Sequence, residues 1–277
     1  MKNFFKLLNF ELNRVMKLLL ILMGFTFIVQ LVGVFVSKNN YLTQVEMLQQ
    51  NDGSSVSQVL QTIGYFSFDR VVNSLFFIGP IMICVAAILF YVFLIWYRDW
   101  FGKNTFVYRL LMLPTERINL FFAKLTTIVL ATLSLVGFQL IAIQIEMLVM
   151  RWTVPGEYVM EVTLRQLIEF NKILLLIVPN QFELFMSFYG AGILTVVILF
   201  TAILLERSYR LKGALIGGTF VVVANLLVIL PLILNETIFH SFLYNGEVLL
   251  IILALGVIVL AGSIWLSKRL LDKKIRV

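Results

Sequence analysis

Residues 71–97 read VVNSLFFIGPIMICVAAILFYVFLIWY; they carry no charge from end to end and stop at Arg98-Asp99. A helix rises ~1.5 Å per residue and the hydrocarbon core of a bilayer is ~30 Å thick, so this run can cross with some tilt or overhang. Hydrocarbon offers the backbone no partner, so the run must satisfy its own N–H and C=O groups as a helix. Working outward, five more runs of the same kind stand at 18–36, 125–150, 184–205, 213–234 and 248–267. The predicted fold class is therefore all-α, a polytopic integral membrane protein with six transmembrane helices. The chain has 277 residues and is 61% hydrophobic. Its connections are too short for an independent soluble core, so residues 1–277 read as a single transmembrane domain.

The basic residues orient it. Lys2, Lys6, Arg14 and Lys17 precede the first run, and Arg98, Lys103, Arg109, Arg117 and Lys124 join the second to the third. Arg207, Arg210 and Lys212 join the fourth to the fifth, and Lys268, Arg269, Lys273, Lys274 and Arg276 follow the sixth. The other three connections hold only Lys38, Arg70, Arg151, Arg165 and Lys172 of the 22. By the positive-inside rule the rich segments, and with them both termini, face the cytoplasm of a cell membrane, by expectation a bacterial plasma membrane. Acids lean the other way, so the net charge of +7 is a topology signal and not a nucleic-acid footprint. The basic rim suits anionic lipid headgroups.

Several chemistries lack their residues. One cysteine, Cys84, leaves no intrachain disulfide, and one histidine, His240, leaves no zinc ligand set. The only Gly-Lys pair, Gly102-Lys103, is followed by Asn104 and lacks the upstream glycine of a phosphate-binding loop. Neither a nucleophile elbow nor a metalloprotease motif is present, and the chain reads as a non-enzyme with no cofactor or metal of its own.

Two segments stand out between the runs. Residues 1–17 form an amphipathic stretch with Phe4, Phe5, Leu8, Leu12, Val15 and Met16 along one stripe and Lys2, Lys6, Asn9, Asn13 and Lys17 opposite. A helix of this kind lies in the headgroup plane. The connection 98–124 carries a short helix: Gly102 ends the preceding span and Thr105 N-caps a stretch with Phe106, Leu110 and Leu113 on one side. Pro114 stops it, and Thr115 caps the next helix. On the opposite side of the membrane a helix is expected near 41–50, a break at Asp52-Gly53 and a second helix from about 55. A further helix resting on the outer surface, or a shallow re-entrant piece, is expected at about 161–177.

The order of these pieces resembles the permease subunits of type-2 ABC exporters, which have an elbow helix, six spans with both ends inside and a coupling helix between spans two and three. Locally, Gly102, Thr105, Leu110 to Pro114, Arg117, Ala123 and Lys124 are similar to that family's Gly-Thr, short helix, Leu-Pro, Arg and Ala-Lys pattern. Where the family often carries acids before the glycine, this chain has Asp99 with Trp100. The resemblance implies a non-catalytic subunit working as a dimer, with an identical or similar second permease, on a separate ATPase that holds ATP and Mg. Gly102, Thr105, Phe106, Arg109, Leu110, Leu113, Pro114 and Arg117 would form the ATPase-coupling segment. The cargo would be hydrophobic or amphipathic: a peptide such as an antimicrobial one, a drug as in multidrug export, or a lipid-like molecule. The competing reading is a membrane sensor, immunity factor or scaffold whose two long outer connections bind a ligand.

Inside the runs three polar residues are candidates for a translocation path: Gln139 and Asn225 near mid-depth and Glu146 toward the outer end. Interhelical hydrogen bonding for the two amides and an interfacial carboxylate for Glu146 are the plainer expectations. Gly213 and Gly217, and likewise Gly190 and Gly192, predict close helix approach.

Overall fold

The computed structural model describes residues 2–52, 55–100, 116–237 and 242–274. Most of the expected coupling segment (Gly102, Thr105, Phe106, Arg109, Leu110, Leu113 and Pro114) and His240 lie outside the described residues. The elements are α1 (Lys2–Asp52), α2 (Val56–Ile63), α3 (Phe68–Val72), α4 (Leu75–Trp100), α5 (Ile118–Thr153), a 3-10 turn (Gly156–Tyr158), α6 (Leu164–Phe170), α7 (Lys172–Ile177), α8 (Phe182–Thr237) and α9 (Asn245–Lys273). Six stretches are long and apolar enough to cross a bilayer: Asn3–Gln50, Leu75–Trp100, Ile118–Thr153, Phe182–Tyr209, Leu211–Thr237 and Gly246–Lys273. The chain is an all-α, multi-pass membrane protein. Its outward surface is as greasy as its interior: Leu20, Ile21, Phe90, Leu215, Leu250 and Val257 are all exposed, a surface that only lipid or another apolar protein can cover.

The helices outrun the hydropathy windows because polar residues carry them onward. The expected helix at 41–50 is the continuation of α1. Residues 2–17 are helical but run unbroken into the first span as part of α1, so no separate elbow helix is marked off there, and the buried stripe is Leu7, Glu11, Val15 and Leu19. The second span starts at Leu75 and not at 71. Residues 71 and 72 close α3, whose last turn Asn73 caps by donating to the carbonyl and carboxylate of Asp69 at 3.0 Å. The expected 161–177 helix is two pieces, α6 and α7, because Asn171 breaks the first and caps the second, accepting from Ile173 N and Leu174 N.

The chain forms two compact units. The first is Met1–Asn13, Ile88–Leu130 and Phe182–Val277. Within it α8 folds back on itself. Fifty-six residues in a straight line would span ~84 Å, yet a methyl placed on Gly213 would overlap the Leu205 carbonyl and sit 2.8 Å from Glu206 Cα. One on Gly217 would lie 2.8 Å from the Ala202 carbonyl oxygen. The two halves run antiparallel and meet backbone to backbone where those glycines leave room. Leu194, Ile198 and Ala224 form the core of the hairpin, with Val259 and Leu260 of α9 packed against it. Gly190 and Gly192 have nothing within 4 Å of a built Cβ, so the expected close approach does not occur there. Thr201 Oγ1 and Ser267 Oγ lie 3.0 Å apart and tie α8 to α9.

The second unit is Arg14–Ala87 and Ala131–Gln181. Here α1, α4 and α5 pack together, and Gly33 lets Phe76 approach so closely that a Cβ would meet Phe76 Cβ at 2.7 Å. Above these helices the two connections fold together: Phe66 N donates to Tyr158 O at 2.7 Å and Met160 N to Phe66 O at 3.0 Å. Tyr41, Phe66, Phe68, Tyr158, Leu167 and Leu174 fill the space beneath.

Candidate functional site: the roots of the 101–115 connection

The last turn of α4 carries four consecutive side chains that are all engaged. Successive helical residues point about 100° apart, so Tyr97, Arg98, Asp99 and Trp100 reach four different neighbours within the first unit. Lys124, on the second turn of α5, is fully buried. Its ammonium donates to Asp99 Oδ2 at 2.5 Å, to Glu11 Oε1 at 2.8 Å and to the Ile95 carbonyl at 2.7 Å, which uses its three protons. It also lies 5.2 Å from the Trp96 ring centroid. Glu11, equally buried, takes a second bond from Arg98 Nη2 at 3.0 Å. Two carboxylates and two cations thus neutralise each other beside Trp96, Phe121 and Phe200, whose rings pack at 5.5–6.5 Å; Glu11, Asp99 and Lys124 are buried, and Arg98 is partly exposed. A single uncompensated charge there would cost several kcal/mol, so the four side chains stand or fall together.

On the other side of the same turn, Tyr97 Oη donates to Glu206 Oε2. The Arg207 guanidinium lies 4.7 Å from the Tyr97 ring and 5.6 Å from that of Trp100. Glu206 and Arg207 sit at the reversal of α8, so the hairpin bend is fastened to the end of α4. Where the chain returns from the connection, Arg117 Nη1 donates to the Leu271 carbonyl at 2.6 Å, near the end of α9. Both roots of the 101–115 segment are therefore anchored: one to the N-terminal part of α1, to α5 and to the α8 bend, the other to α9. A rigid turn gripped on several sides passes a displacement to all of its partners together.

Of the residues singled out from sequence, Arg117 is in this anchorage. The others of the coupling segment fall outside the described residues. Gln139 does what a buried amide is expected to do: it donates to Gln30 Oε1 at 3.2 Å, and Gln30 donates to the Phe77 carbonyl at 3.3 Å, linking α5, α1 and α4 in the second unit. Pro80 removes the donor that would have met Phe76, and the Gln30 amide reaches the adjacent carbonyl. Asn225, in the first unit, donates back to Val221 O of its own helix at 2.8 Å and forms no interhelical bond among the described residues. Glu146 is fully buried in the protein. Glu11 and the buried state of Lys124 were not anticipated. The available signal was an acid at the edge of an otherwise basic-and-apolar helix, and a lysine six residues inside a helix that begins at Ile118.

The chain matches no protein-family model, no curated protein and no solved structure.

Proposed function

We propose that this chain is the membrane permease subunit of an ATP-driven exporter of the type-2 ABC kind. Its basic ends face the cytoplasm, and a partner ATPase grips residues 101–115. The observation that carries the reading is the double anchorage of that segment. A connection that served only to join two spans would need no cluster of three buried charges and a partly exposed Arg98 at one root and no Arg-to-carbonyl tie at the other. A lever needs both. In this reading nucleotide-driven movement of the ATPase pushes on the face bearing Phe106, Leu110 and Leu113, with Arg109 and Arg117 at the rim. The push passes through Tyr97–Trp100 to α1, α5 and the α8 bend at once. ATP and Mg belong to the ATPase, a second permease subunit completes the path, and the cargo is hydrophobic or amphipathic.

The test is purification of the chain from its native membrane, followed by ATP-dependent transport in vesicles. A co-purifying ATPase whose hydrolysis drives export is the expected result, and Phe106→Asp or Leu110→Asp should preserve assembly while breaking the link between hydrolysis and transport. Transport without any associated ATPase would sink the reading.

A second reading draws on the second unit. Its two connections pair through the Phe66, Tyr158 and Met160 backbone and bury Tyr41, Phe68 and Leu167, a folded element of the sort a sensor or immunity factor presents to a ligand. Grafting 55–74 and 155–181 onto an unrelated membrane protein separates the two: ligand response should travel with the graft if this reading holds, and ATP-coupled export should not.

A further inference from the structure

Glu146 is the one buried carboxylate in the chain's described residues whose two oxygens both lack a hydrogen-bond partner. Its surroundings are apolar. On its own helix Ile143, Met147 and Met150 are members of the second unit's hydrophobic core, and its exposure is zero. The groups that might have served it are committed elsewhere. Gln139, two turns earlier on α5, turns its amide to Gln30. Arg151, five residues on, stands 3.8 Å from Glu161 and is 43% exposed. From α1, the Tyr41 hydroxyl donates to the Gly64 carbonyl, and the Tyr158 hydroxyl accepts from Gln49. Arg70 on α3 donates to the Ile63 carbonyl, Arg165 on α6 pairs with Glu169, and Asp69 is held by Asn73. Lys38, Glu46, Glu157 and Lys172, further charges of this end of the unit, give Glu146 no hydrogen bond either.

A carboxylate ion without a donor does not persist in such a place; a carboxyl that is buried alone neutralises. Zero exposure leaves no room for a hydrated metal ion or an organic cation, and the one cation that fits is a proton. An isolated ionisable group at membrane depth marks a site of function by default. We propose that Glu146 is a proton-exchange site: it carries a proton while the core of the second unit is closed around it and releases that proton when the core opens to water. The inference does not depend on an ATPase partner. It adds to the protein a step in which opening of the second unit is linked to proton release.

Infrared difference spectroscopy between the full-length wild type and Glu146→Gln, in lipid at neutral pH, reads the site directly. The expected result is loss, in the variant, of the carbonyl stretch of a protonated carboxylic acid, a band that shifts in heavy water. Loss of the symmetric and antisymmetric stretches of an ionised carboxylate instead would overturn the proposal. Should Glu146→Gln fail to fold, Glu146→Asp moves whichever band belongs to residue 146 and gives the same answer. The linkage to opening is read by raising the pH. In the wild type the protonated band should vanish together with the near-ultraviolet dichroism of the packed Tyr41 and Tyr158, while Glu146→Gln keeps that signal over the same range. Ionisation of Glu146 with the aromatic signal unchanged would show that the closed core tolerates the charge, and the exchange mechanism would be wrong.

Discussion

Lys124 occupies a position that hydropathy alone would fill with leucine, and it survives there because three acceptors meet its three protons. The arrangement makes a clear prediction. Lys124→Met removes the ammonium that the buried Asp99 and Glu11 carboxylates share, and unfolding in mild detergent should show a loss of about 3–5 kcal/mol. Adding Asp99→Asn should restore much of it, since one of the two buried carboxylates that Lys124 neutralises goes with it. A single Lys124→Met variant as stable as the wild type would mean the cluster is not closed to water. The glycines offer a second contrast. Gly213→Ala pushes a methyl into the Leu205 and Glu206 backbone and should cost about 1–3 kcal/mol by overpacking. Gly190→Ala meets nothing within 4 Å and should be neutral or gain up to ~1 kcal/mol from helix propensity. Equal melting temperatures for the two would contradict the backbone-to-backbone hairpin.

At the scale of elements, the helices divide into those that composition dictates and those that caps dictate. The long apolar helices follow from uninterrupted hydrophobic runs, and their approximate places were legible. The short ones hang on single side chains. Asn171 ends α6, starts α7 and reaches Asn73 Oδ1 at 3.2 Å. Asn171→Ala should cost about 0.5–2 kcal/mol, the usual price of a lost N-cap. It should also speed amide exchange at Ile173 and Leu174; unchanged exchange there would show that packing of Leu174, and not the cap, holds α7. The reversal inside α8 was legible in the basic residues between its two apolar halves and in Gly213 and Gly217. The actual contact partners, Ala202, Leu205 and Glu206, were not, because which face of a span meets its neighbour is invisible when every face is apolar. The same reason hid Glu11. An amphipathic wheel ranks residues by polarity, and a buried acid that is paired looks on the wheel like one that belongs in water.

For the molecule as a whole, the charge distribution makes the sharpest prediction. With Cys84→Ser as background, a cysteine at position 103 should be reached by an impermeant maleimide in inside-out vesicles and protected in intact cells. Labelling in intact cells would invert the topology and remove the proposed ATPase from the side where residues 101–115 lie. The number of crossings, the all-helical architecture and the asymmetry of charge were determined by the sequence itself, because each is a sum over many residues and depends on no particular contact. What the tertiary structure alone decided is pairwise. Glu11 meets Lys124 across more than a hundred residues, the α8 bend fastens to Tyr97 and Trp100, and Glu146 ends with no donor. Transfer of a chain into lipid is scored residue by residue, whereas the cost or gain of a buried charge depends wholly on which group is brought beside it.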